Sequence, residues 1–526
     1  MLDLGRTFLQ SLERNPGASA LVDDTLELSY ERWARRIGGV QNALTDLGLQ
    51  RGDHLLSILQ NRHEAATLHW ACQFAGIILT PLNWRAKAEE VDYAVDNAKA
   101  KAVVFEPVSR VAIQESQRAQ RLPLVGVQGV AQHTPGAAAL AAPLAADFDD
   151  WLTDPADPSP KASAEDWSLM LYTSGTTGKP KGVPRRQRAE RAAALAHVAQ
   201  NRYGYGERTL AVMPLYHTMG VRSLLALALV DGLLVCMPKW DAGIALAHIE
   251  RNTLTHLYLV PTLYHDLLHH AEFSGDRVKS VTRLGFAGAP MHDALLLALQ
   301  NAFKPELFVN HYGSTEIYTF SINPLAVEKP GSAGKAGLNT RLRVVRLNAN
   351  GPDDLAAPLE EGQIIADLES DEAFEGYHLR PDANAKSLRQ GWYFTGDTGY
   401  VDQDGDLFVT GRVDDMIISG GENISPVDIE SVLSLHPAVD EVAVAGLKDE
   451  RWGQRVVAFI KPRRPVSEQD LDRHCRQSDL VNFKRPREYV FVKDIPKSPV
   501  GKILRRKLQA GEYESATEIL SYVEPS

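Results

Sequence analysis

The chain has 526 residues, of which 44% are hydrophobic and 23% are charged, a length that allows two or more domains. Its formal net charge of −11 excludes a protein drawn to nucleic acid or to an anionic membrane by overall charge. The N-terminus has no basic segment followed by an apolar run, and no uncharged apolar stretch reaches about 18 residues. We therefore expect a cytoplasmic protein without a leader or a transmembrane helix, and free thiols at the widely spaced Cys72, Cys236 and Cys475.

Short β-branched or apolar runs alternate with helical patterns through most of the chain, which is typical of α/β layers with parallel sheets. Helices are predicted between the strands, as at Asp241–Asn252 and Leu263–Glu272, and the Ala- and Pro-rich residues His133–Ala146 indicate a loop or linker. The predicted strands are Lys101–Phe105, Thr209–Met213, His256–Val260, Arg283–Ala287 and Leu307–Asn310.

The pattern changes near Asp414, where we predict a domain boundary. The N-terminal domain would span residues 1–412, and a small α+β domain would span residues 413–526, a length that suits an independent unit. The predicted elements of the second domain are helix Pro426–Leu435, strands Glu441–Leu447 and Arg455–Lys461, helix Glu468–Ser478 and strand Glu488–Val492.

The stretch Tyr172–Gly182 combines glycines, hydroxyl side chains and two lysines. Glycines let backbone N–H groups surround an anion, and hydroxyls and lysines add donors to phosphate oxygens. It is not a Walker A loop, because two residues rather than four separate Gly175 from Gly178, and Pro180 replaces the Ser or Thr of that motif. The stretch predicts a triphosphate-binding loop; the alternative, a solvated loop, is disfavoured by the motifs that follow.

A second motif, His311–Glu316, follows a predicted strand, and the carboxyl edges of such strands bind ligands in α/β proteins. Tyr312 can stack on a purine, Thr315 can reach a phosphate, and Glu316 can offer a hard oxygen to Mg²⁺. In the alternative interpretation, Ser314 or Thr315 caps a helix.

Three further motifs follow along the chain. Gly391–Asp397 places Asp397 on a glycine turn, where its carboxylate can accept from ribose hydroxyls, although turns also carry Asp for local reasons. Gly411–Pro426 combines a basic residue, two carboxylates and a Gly-Gly pair at the predicted boundary. Pro496–Arg506 places Lys502 in a loop before a basic helix.

Together, in this order, the motifs resemble the adenylate-forming superfamily of acyl-CoA synthetases, luciferases and peptide-synthetase adenylation domains, over essentially the whole chain. The resemblance implies a large N-terminal domain of layered α/β subdomains with a small β-barrel-like part, and a small mobile α+β C-terminal domain. Within the superfamily the chain is most similar to bacterial aryl-CoA ligases of the 4-chlorobenzoate type, through Met213–His217, Ser370–Tyr377, Asp415–Asn423, Arg451–Gln454 and Phe483–Pro486.

The resemblance also implies a role for each motif residue. The hinge would be Asp414, and Gly420 and Gly421 would border the tunnel for the pantetheine arm of coenzyme A. The implied nucleotide and catalytic set is Thr173, Ser174, Gly175, Thr176, Thr177, Gly178 and Lys181 at the pyrophosphate, Tyr312 at adenine, Thr315 at the α-phosphate, Glu316 at the metal, Asp397 and Arg412 at the ribose, and Lys502 at the carboxylate and α-phosphate.

The implied reaction consumes ATP with Mg²⁺ and has two steps, acyl-AMP formation and transfer of the acyl group to coenzyme A. The expected substrate is an aromatic or heteroaromatic, benzoate-like acid. The alternatives are a medium-chain, alicyclic or branched aliphatic acid, or a stand-alone adenylation enzyme that loads a carrier protein. A non-enzymatic nucleotide-binding module is disfavoured, because Lys502 and Glu316 are both present. We expect no nucleic-acid or membrane partner, with a homodimer as a possible assembly.

By position in the family, an acid pocket would be lined by small residues that border a flat slot and by tyrosines that form aromatic walls. Tyrosines are also common in cores. His217 would hydrogen-bond the acid's carboxylate or gate the pocket, and a structural histidine in a strand-to-helix turn is the alternative. The implied lining is Ala196, His217, Tyr258, Ala287, Gly313 and Tyr318.

Two positions depart from the chlorobenzoate type of pocket. Ala196 is small where the resemblance suggests a bulky aromatic side chain. Arg222 brings an unexpected charge five residues after His217, and it contacts either a polar group of the substrate or only a helix end.

Overall fold

The computed structural model describes residues 2–127, 144–173, 180–497 and 503–516. Among them, no helix combines the length and apolar character that a membrane crossing requires. All three cysteines are buried free thiols. The helices are α1 Leu4–Arg14, α2 Tyr30–Asp46, α3 His63–Ala75, α4 Ala88–Ala98, α5 Arg110–Glu115, α6 Phe148–Thr153, α7 Gln187–Gln200, α8 Thr218–Leu227, α9 Ala242–Arg251, α10 Pro261–Leu268, α11 Gly275–Val278, α12 Asp293–Phe303, α13 Pro381–Ser387, α14 Pro426–Ser434, α15 Glu468–Gln477 and α16 Arg505–Gln509.

The strands alternate with these helices over the first three hundred or so residues and then follow one another directly, as expected for an α/β region joined to an antiparallel one. They are β1 Ser19–Asp23, β2 Leu26–Ser29, β3 His54–Ile58, β4 Ile78–Pro81, β5 Ala102–Phe105, β6 Leu124–Gly126, β7 Ala146–Asp147, β8 Trp167–Thr173, β9 Lys181–Arg186, β10 Arg208–Ala211, β11 Leu233–Cys236, β12 His256–Leu259, β13 Arg283–Phe286, β14 Leu307–Tyr312, β15 Ser321–Asn323, β16 Ser332–Ala336, β17 Leu342–Val345, β18 Gly362–Asp367, β19 Leu388–Arg389, β20 Trp392–Val401, β21 Leu407–Arg412, β22 Ile417–Ser419, β23 Glu422–Ile424, β24 Val439–Asp449, β25 Gly453–Pro462 and β26 Glu488–Phe491.

Three sheets build the N-terminal region. A seven-stranded sheet has the order β7-β6-β5-β3-β4-β8-β9, in which only the last pairing, between β8 and β9, is antiparallel. A ten-stranded sheet runs β12-β13-β14-β15-β16-β21-β20-β18-β17, with β19 beside β20. Its first three strands are parallel and the rest antiparallel, so the prediction of parallel sheets holds for only part of it. A third sheet has the order β10-β11-β1-β2.

The C-terminal region has its own sheet and core. Strands β23-β22-β25-β24 are antiparallel neighbours, and β26 adds parallel to β25. Helices α14 and α15 supply buried Ile429, Leu433 and Leu471 to a cluster with sheet residues such as Val444 and Ile460. The chain enters this region through the short 3-10 turn Val413–Asp415.

Every predicted strand and helix named above overlaps a described element. One helix and the predicted linker need comment. The helix predicted over Leu263–Glu272 is α10, which begins earlier because Pro261 suits the first helical turn and ends before His269. The predicted linker His133–Ala146 lies mostly outside the described residues, and its last residue begins β7.

Candidate active site

The hydroxyl-rich loop connects the two strands of the β8–β9 hairpin. Thr173 is paired with Lys181 at the end of the ladder, so the hairpin fixes both ends of the loop. The buried hydroxyl of Thr173 has no hydrogen-bond partner among the described residues, which fits an anionic ligand at this point. The loop residues predicted to hold pyrophosphate, Ser174, Gly175, Thr176, Thr177 and Gly178, lie outside the described part of the chain.

Tyr377 contacts both Lys181 and Glu316 and so links these two predicted site residues. The Lys181 Nζ atom is 4.0 Å from the centroid of the Tyr377 ring, and the Tyr377 hydroxyl donates to Glu316 Oε1 at 2.7 Å. Burial lowers the pKa of Lys181, and the nearby Glu316 carboxylate opposes this shift. Burial also raises the pKa of Tyr377, so its hydroxyl remains a donor. Sequence reasoning did not identify Tyr377 as a site residue, although it ends the Ser370–Tyr377 stretch.

A turn rather than a helix presents Glu316. The Ser314 hydroxyl accepts from the backbone N–H of Glu316 at 3.2 Å and of Ile317 at 3.4 Å, and the chain then continues into β15. The helix-cap interpretation of Ser314 and Thr315 is therefore wrong. One carboxylate beside a phosphate loop fits the donor set of Mg²⁺, which usually binds one or two carboxylates together with phosphates and water.

Tyr312, Asp397 and Arg412 meet where three strands end or bend. Asp397 and Arg412 are direct partners in the β20–β21 pairing, and the Arg412 Nε atom is 3.3 Å from Asp397 Oδ1. The Tyr312 hydroxyl, at the end of β14, donates to Asp397 Oδ2 at 2.7 Å. Burial raises the pKa of Tyr312, and the Asp397 carboxylate adds to that rise. The structure thus brings together the residues predicted for adenine and for the ribose.

The six predicted acid-pocket residues differ in how far they are exposed. Gly313 is exposed and His217 is half-buried. A Cβ atom on Gly313 would lie 2.0 Å from the carbonyl oxygen of Tyr318, so the close approach of these two segments requires glycine. The remaining four, Ala196, Tyr258, Ala287 and Tyr318, are buried.

Of the four buried residues, Tyr258 and Ala287 pack against the same apolar cluster. Tyr258 packs in one apolar cluster with Ala287 and Met219. Its ring centroid is 4.8 Å from that of His197, the residue after Ala196 on α7. His217 precedes α8, and its Nδ1 atom accepts from the Met219 N–H at 3.4 Å, the geometry expected of a histidine that caps a helix.

Arg222 is buried at only 2% exposure and lies within α8. The interpretation of this charge as a helix-end contact is therefore wrong. Its Nη1 donates to the Thr319 hydroxyl at 2.8 Å and to the Tyr318 carbonyl at 3.3 Å, and its Nη2 donates to the Tyr258 hydroxyl. The two tyrosines predicted as aromatic walls are thus both contacted by this guanidinium.

A second buried arginine, Arg185 near the end of β9, packs on the ring of Tyr318. Its Cζ atom is 4.0 Å from the centroid of the Tyr318 ring. Its Nε donates to Glu190 Oε1 at 2.7 Å, and both side chains are fully buried. Its Nη1 donates to the backbone carbonyls of Glu316 and Glu372. Sequence reasoning missed this ion pair.

On the C-terminal side, Gly420 and Gly421 form the turn of the β22–β23 hairpin. Their φ angles of 62° and 88° are left-handed and favour glycine. A Cβ atom on Gly420 would lie 2.9 Å from the Trp452 ring, whereas one on Gly421 would meet nothing within 4 Å. Asp414 lies in the turn Val413–Asp415, and Lys502 lies outside the described residues.

The sequence of this chain matches known protein families and individual relatives. The model of the AMP-binding enzyme family matches residues 8–378, and that of the AMP-binding enzyme C-terminal domain matches residues 428–502. A 4-chlorobenzoate–CoA ligase of an Arthrobacter species is 33% identical over 504 residues, covering 95% of this chain and 93% of the relative. A long-chain-fatty-acid–CoA ligase of Mycobacterium tuberculosis is 30% identical over 523 residues, covering 98% of this chain and 99% of the relative.

Among solved structures, an anthranilate CoA ligase in complex with anthranoyl-AMP superposes with a TM-score of 0.87 at 26% identity, covering 97% of both chains. The chain therefore belongs to the AMP-binding enzyme family. This confirms the family and the α/β fold class that the motifs predicted.

Proposed function

We propose that this enzyme is an ATP-dependent carboxylic acid:CoA ligase that works in two steps through an acyl-AMP intermediate. The observation that carries the proposal is that two clusters of predicted nucleotide ligands lie near each other, since the charge of Arg412 adds to the lowering of the Lys181 pKa by burial. The Tyr312–Asp397–Arg412 cluster lies at one end, and the Lys181–Tyr377–Glu316 contacts lie at the base of the hydroxyl loop. Two of the named relatives are acid–CoA ligases aligned over nearly the whole chain.

In the first step, the acid's carboxylate attacks the α-phosphorus of ATP, and pyrophosphate leaves. A carboxylic acid with a pKa near 4 is already ionised at neutral pH, so the step requires positioning and charge neutralisation but no general base. We assign the ribose hydroxyls to Asp397 and Arg412 and the adenine to the face of Tyr312. Thr315 and Lys502 would contact the α-phosphate.

The pyrophosphate end of the nucleotide would be held by Lys181, Thr173 and the loop residues Ser174 to Gly178. Glu316 would hold Mg²⁺, which neutralises phosphate charge when bound. The hydrogen bond from Tyr377 fixes the orientation of the Glu316 carboxylate. Lowering of the Lys181 pKa by burial is opposed by Glu316, and phosphate oxygens would oppose it further.

In the second step, the thiol of coenzyme A attacks the acyl carbon, and AMP leaves. This step requires access for a long thiol and no longer requires Lys502, so one fixed arrangement serves both steps poorly. A rotation at Asp414 would present the Gly420–Gly421 hairpin in place of the Lys502 loop. We therefore also propose a domain boundary between residues 412 and 413 and a rotation of the C-terminal domain about it.

We assign the substrate to the aromatic acids. The support from the structure is the small Ala287, which packs with Tyr258 in one apolar cluster where a bulkier side chain would compete with a flat ring. Relatives named for chlorobenzoate and anthranilate support an aromatic acid, whereas the relative named for long-chain fatty acids supports the aliphatic alternative. We also propose that the enzyme acts in the cytoplasm, as its sequence predicts, and that it assembles as a homodimer.

The test is AMP formation from ATP and Mg²⁺ over a panel of acids, with and without coenzyme A. The panel contains benzoate, halo- and hydroxybenzoates, 2-furoate, cyclohexanecarboxylate and octanoate. Turnover that requires coenzyme A and a ring acid is the expected result. Turnover with aliphatic acids alone would refute the aromatic assignment. Acid-dependent pyrophosphate exchange without any effect of coenzyme A would refute the CoA ligase and favour a carrier-protein acceptor.

A further inference from the structure

The guanidinium of Arg222 is buried beside the candidate acid pocket with neutral partners only. It donates to the Thr319 hydroxyl, the Tyr318 carbonyl and the Tyr258 hydroxyl. Its Nε–H is buried and has no hydrogen-bond partner in the described part of the chain. Buried donors are almost always satisfied, so an unused N–H on a charged group indicates a place for an acceptor.

Arg185 shows what a structural arginine looks like in the same region. Its Nε donates to the Glu190 carboxylate, and its Nη1 donates to two backbone carbonyls. Its Nη2 is also buried without a hydrogen-bond partner among the described residues, so the difference from Arg222 is the ion pair with Glu190. No carboxylate of the described residues forms an ion pair with Arg222. Burial raises the pKa of Glu372, and the charge of Arg222 opposes this rise from a distance; the Glu372 carboxylate accepts a hydrogen bond from Asn339 at 3.0 Å instead.

The partners of Arg222 are themselves predicted pocket residues. Tyr258 and Tyr318 both belong to the predicted lining. The Tyr318 carbonyl that accepts from Arg222 is also the atom against which Gly313 packs. The helix that carries Arg222 begins after His217 at the half-buried end of the pocket. An acid that passes the half-buried His217 and reaches Tyr258 would therefore lie near the guanidinium, which donates to the Tyr258 hydroxyl.

We propose that Arg222 is a specificity-determining residue that selects acids carrying an oxygen acceptor on the part of the molecule remote from the reacting carboxylate. The proposal rests on the ligase function proposed above and narrows its substrate class. The acceptor is a hydroxyl oxygen or a second carboxylate, both of which suit a guanidinium. A substrate without such an oxygen leaves the buried donor unpaired, and sites of this kind reject such analogues strongly.

The test compares kcat/KM for benzoate with kcat/KM for its hydroxy and carboxy derivatives at each ring position, in the wild type and in Arg222→Met. Hydrogen bonds to charged groups predict a preference of about 10- to 100-fold for an oxygen-bearing acid in the wild type. We expect this ratio to fall toward one in Arg222→Met, which keeps much of the side chain's length without donors. Preference for a hydroxy acid identifies a neutral acceptor, and preference for a diacid identifies an anionic one.

Arg185→Met is the matched control, since it removes a buried arginine that has its own carboxylate partner. It should lower kcat/KM for all acids by the same factor and leave the preference unchanged. If Arg222→Met does not fold, Arg222→Lys replaces it as the test, because it keeps the charge but has fewer donors. Arg222→Lys should lose most of the preference for oxygen-bearing acids.

Failure of the inference and failure of the proposed function give different results. If benzoate and its oxygen-bearing derivatives are ligated to coenzyme A equally well by the wild type, Arg222 has no selective role although the ligase function stands. A preference that survives in Arg222→Met or Arg222→Lys would overturn the inference in the same way. If no acid gives coenzyme-A-dependent AMP, the proposed function itself fails.

Discussion

The nucleotide region and the acid region of this enzyme use charge differently. In the nucleotide region, Asp397 and Arg412 lie opposite each other on adjacent strands and remain partly exposed, where a ligand can reach them. In the acid region, Arg185 and Arg222 are buried. The proposed nucleotide region is therefore suited to one constant ligand. In the proposed acid region Glu190 offsets the buried charge of Arg185, whereas the unused Nε–H of Arg222 would be paired only by a matching acid.

Within the acid region, Arg185 should matter for stability and Arg222 for selectivity. Removing one partner of a buried ion pair leaves an uncompensated charge, so Arg185→Met should lower the free energy of unfolding by about 3–5 kcal/mol. Arg222→Met should cost only about 1–3 kcal/mol, because its partners are neutral oxygens. Guanidinium chloride unfolding of both variants measures the difference. The double variant Arg185→Met/Glu190→Leu should recover much of the loss, and equal losses in the two single variants would contradict the distinction.

In the nucleotide region, the largest effect on activity is expected from Lys502→Ala. Loss of a well-placed charge stabiliser costs on the order of 10²–10³ in rate, so acid-dependent ATP–pyrophosphate exchange should fall by that factor. Thioester formation from supplied acyl-AMP should remain largely intact, because the second step does not use the lysine. Single-turnover assays of each half-reaction measure both. An equal loss in the two half-reactions would remove Lys502 from its assigned role.

Asp397→Asn should act on ATP and spare the acid. Hydrogen bonds to charged groups contribute ~1.5–3 kcal/mol, so KM for ATP should rise about 10- to 100-fold. The KM for the acid should change little, since Asp397 contacts Tyr312 and Arg412 rather than the acid region. Asp404→Asn, at an exposed carboxylate paired with Lys329, is the control and should leave both constants unchanged. A change confined to the acid's KM would reverse the assignment of the two regions.

Asp414→Pro should slow the second half-reaction more than the first. Proline fixes φ and so restricts the turn Val413–Asp415, where we propose that the two domains join. The measurement compares single-turnover thioester formation from acyl-AMP with pyrophosphate exchange in the same variant. A normal rate of thioester formation would exclude Asp414 as the hinge.

The smallest effect is expected for Gly421→Ala. Its φ of 88° makes any side chain strained by about 1 kcal/mol, and the added methyl group would border the proposed pantetheine tunnel. We expect a several-fold rise in KM for coenzyme A with unchanged pyrophosphate exchange. Gly511→Ala carries similar strain at a φ of 76° with open space around it, and it should leave KM for coenzyme A unchanged. If KM for coenzyme A rose equally in both variants, backbone strain alone would explain the effect.

The sequence predicted which residues meet in the proposed nucleotide region better than it predicted the contacts of the proposed acid region, for a physical reason. Tyr312, Asp397 and Arg412 each lie in a short motif at a strand end, and strand pairing brings such ends together. Arg222 reaches Thr319 and Tyr258 across long stretches of chain, and no local pattern encodes contacts of that kind. For the same reason the contact of Tyr377 with Glu316, 61 residues apart in the chain, was missed. The Arg185–Glu190 pair joins residues only five apart, and it was missed because the sequence does not show that both side chains are buried. The helix patterns gave α9 almost to the residue but placed α10 too late.

The most direct measurement of the central claim is a competition among acids in one reaction with ATP, Mg²⁺ and coenzyme A. Mass spectrometry of the thioester products would identify which acid the wild type consumes first. We predict that an aromatic acid bearing a hydroxyl or second carboxyl group dominates the thioester pool, ahead of benzoate, cyclohexanecarboxylate and octanoate. A pool dominated by an aliphatic thioester, or the absence of any thioester despite AMP release, would contradict this account.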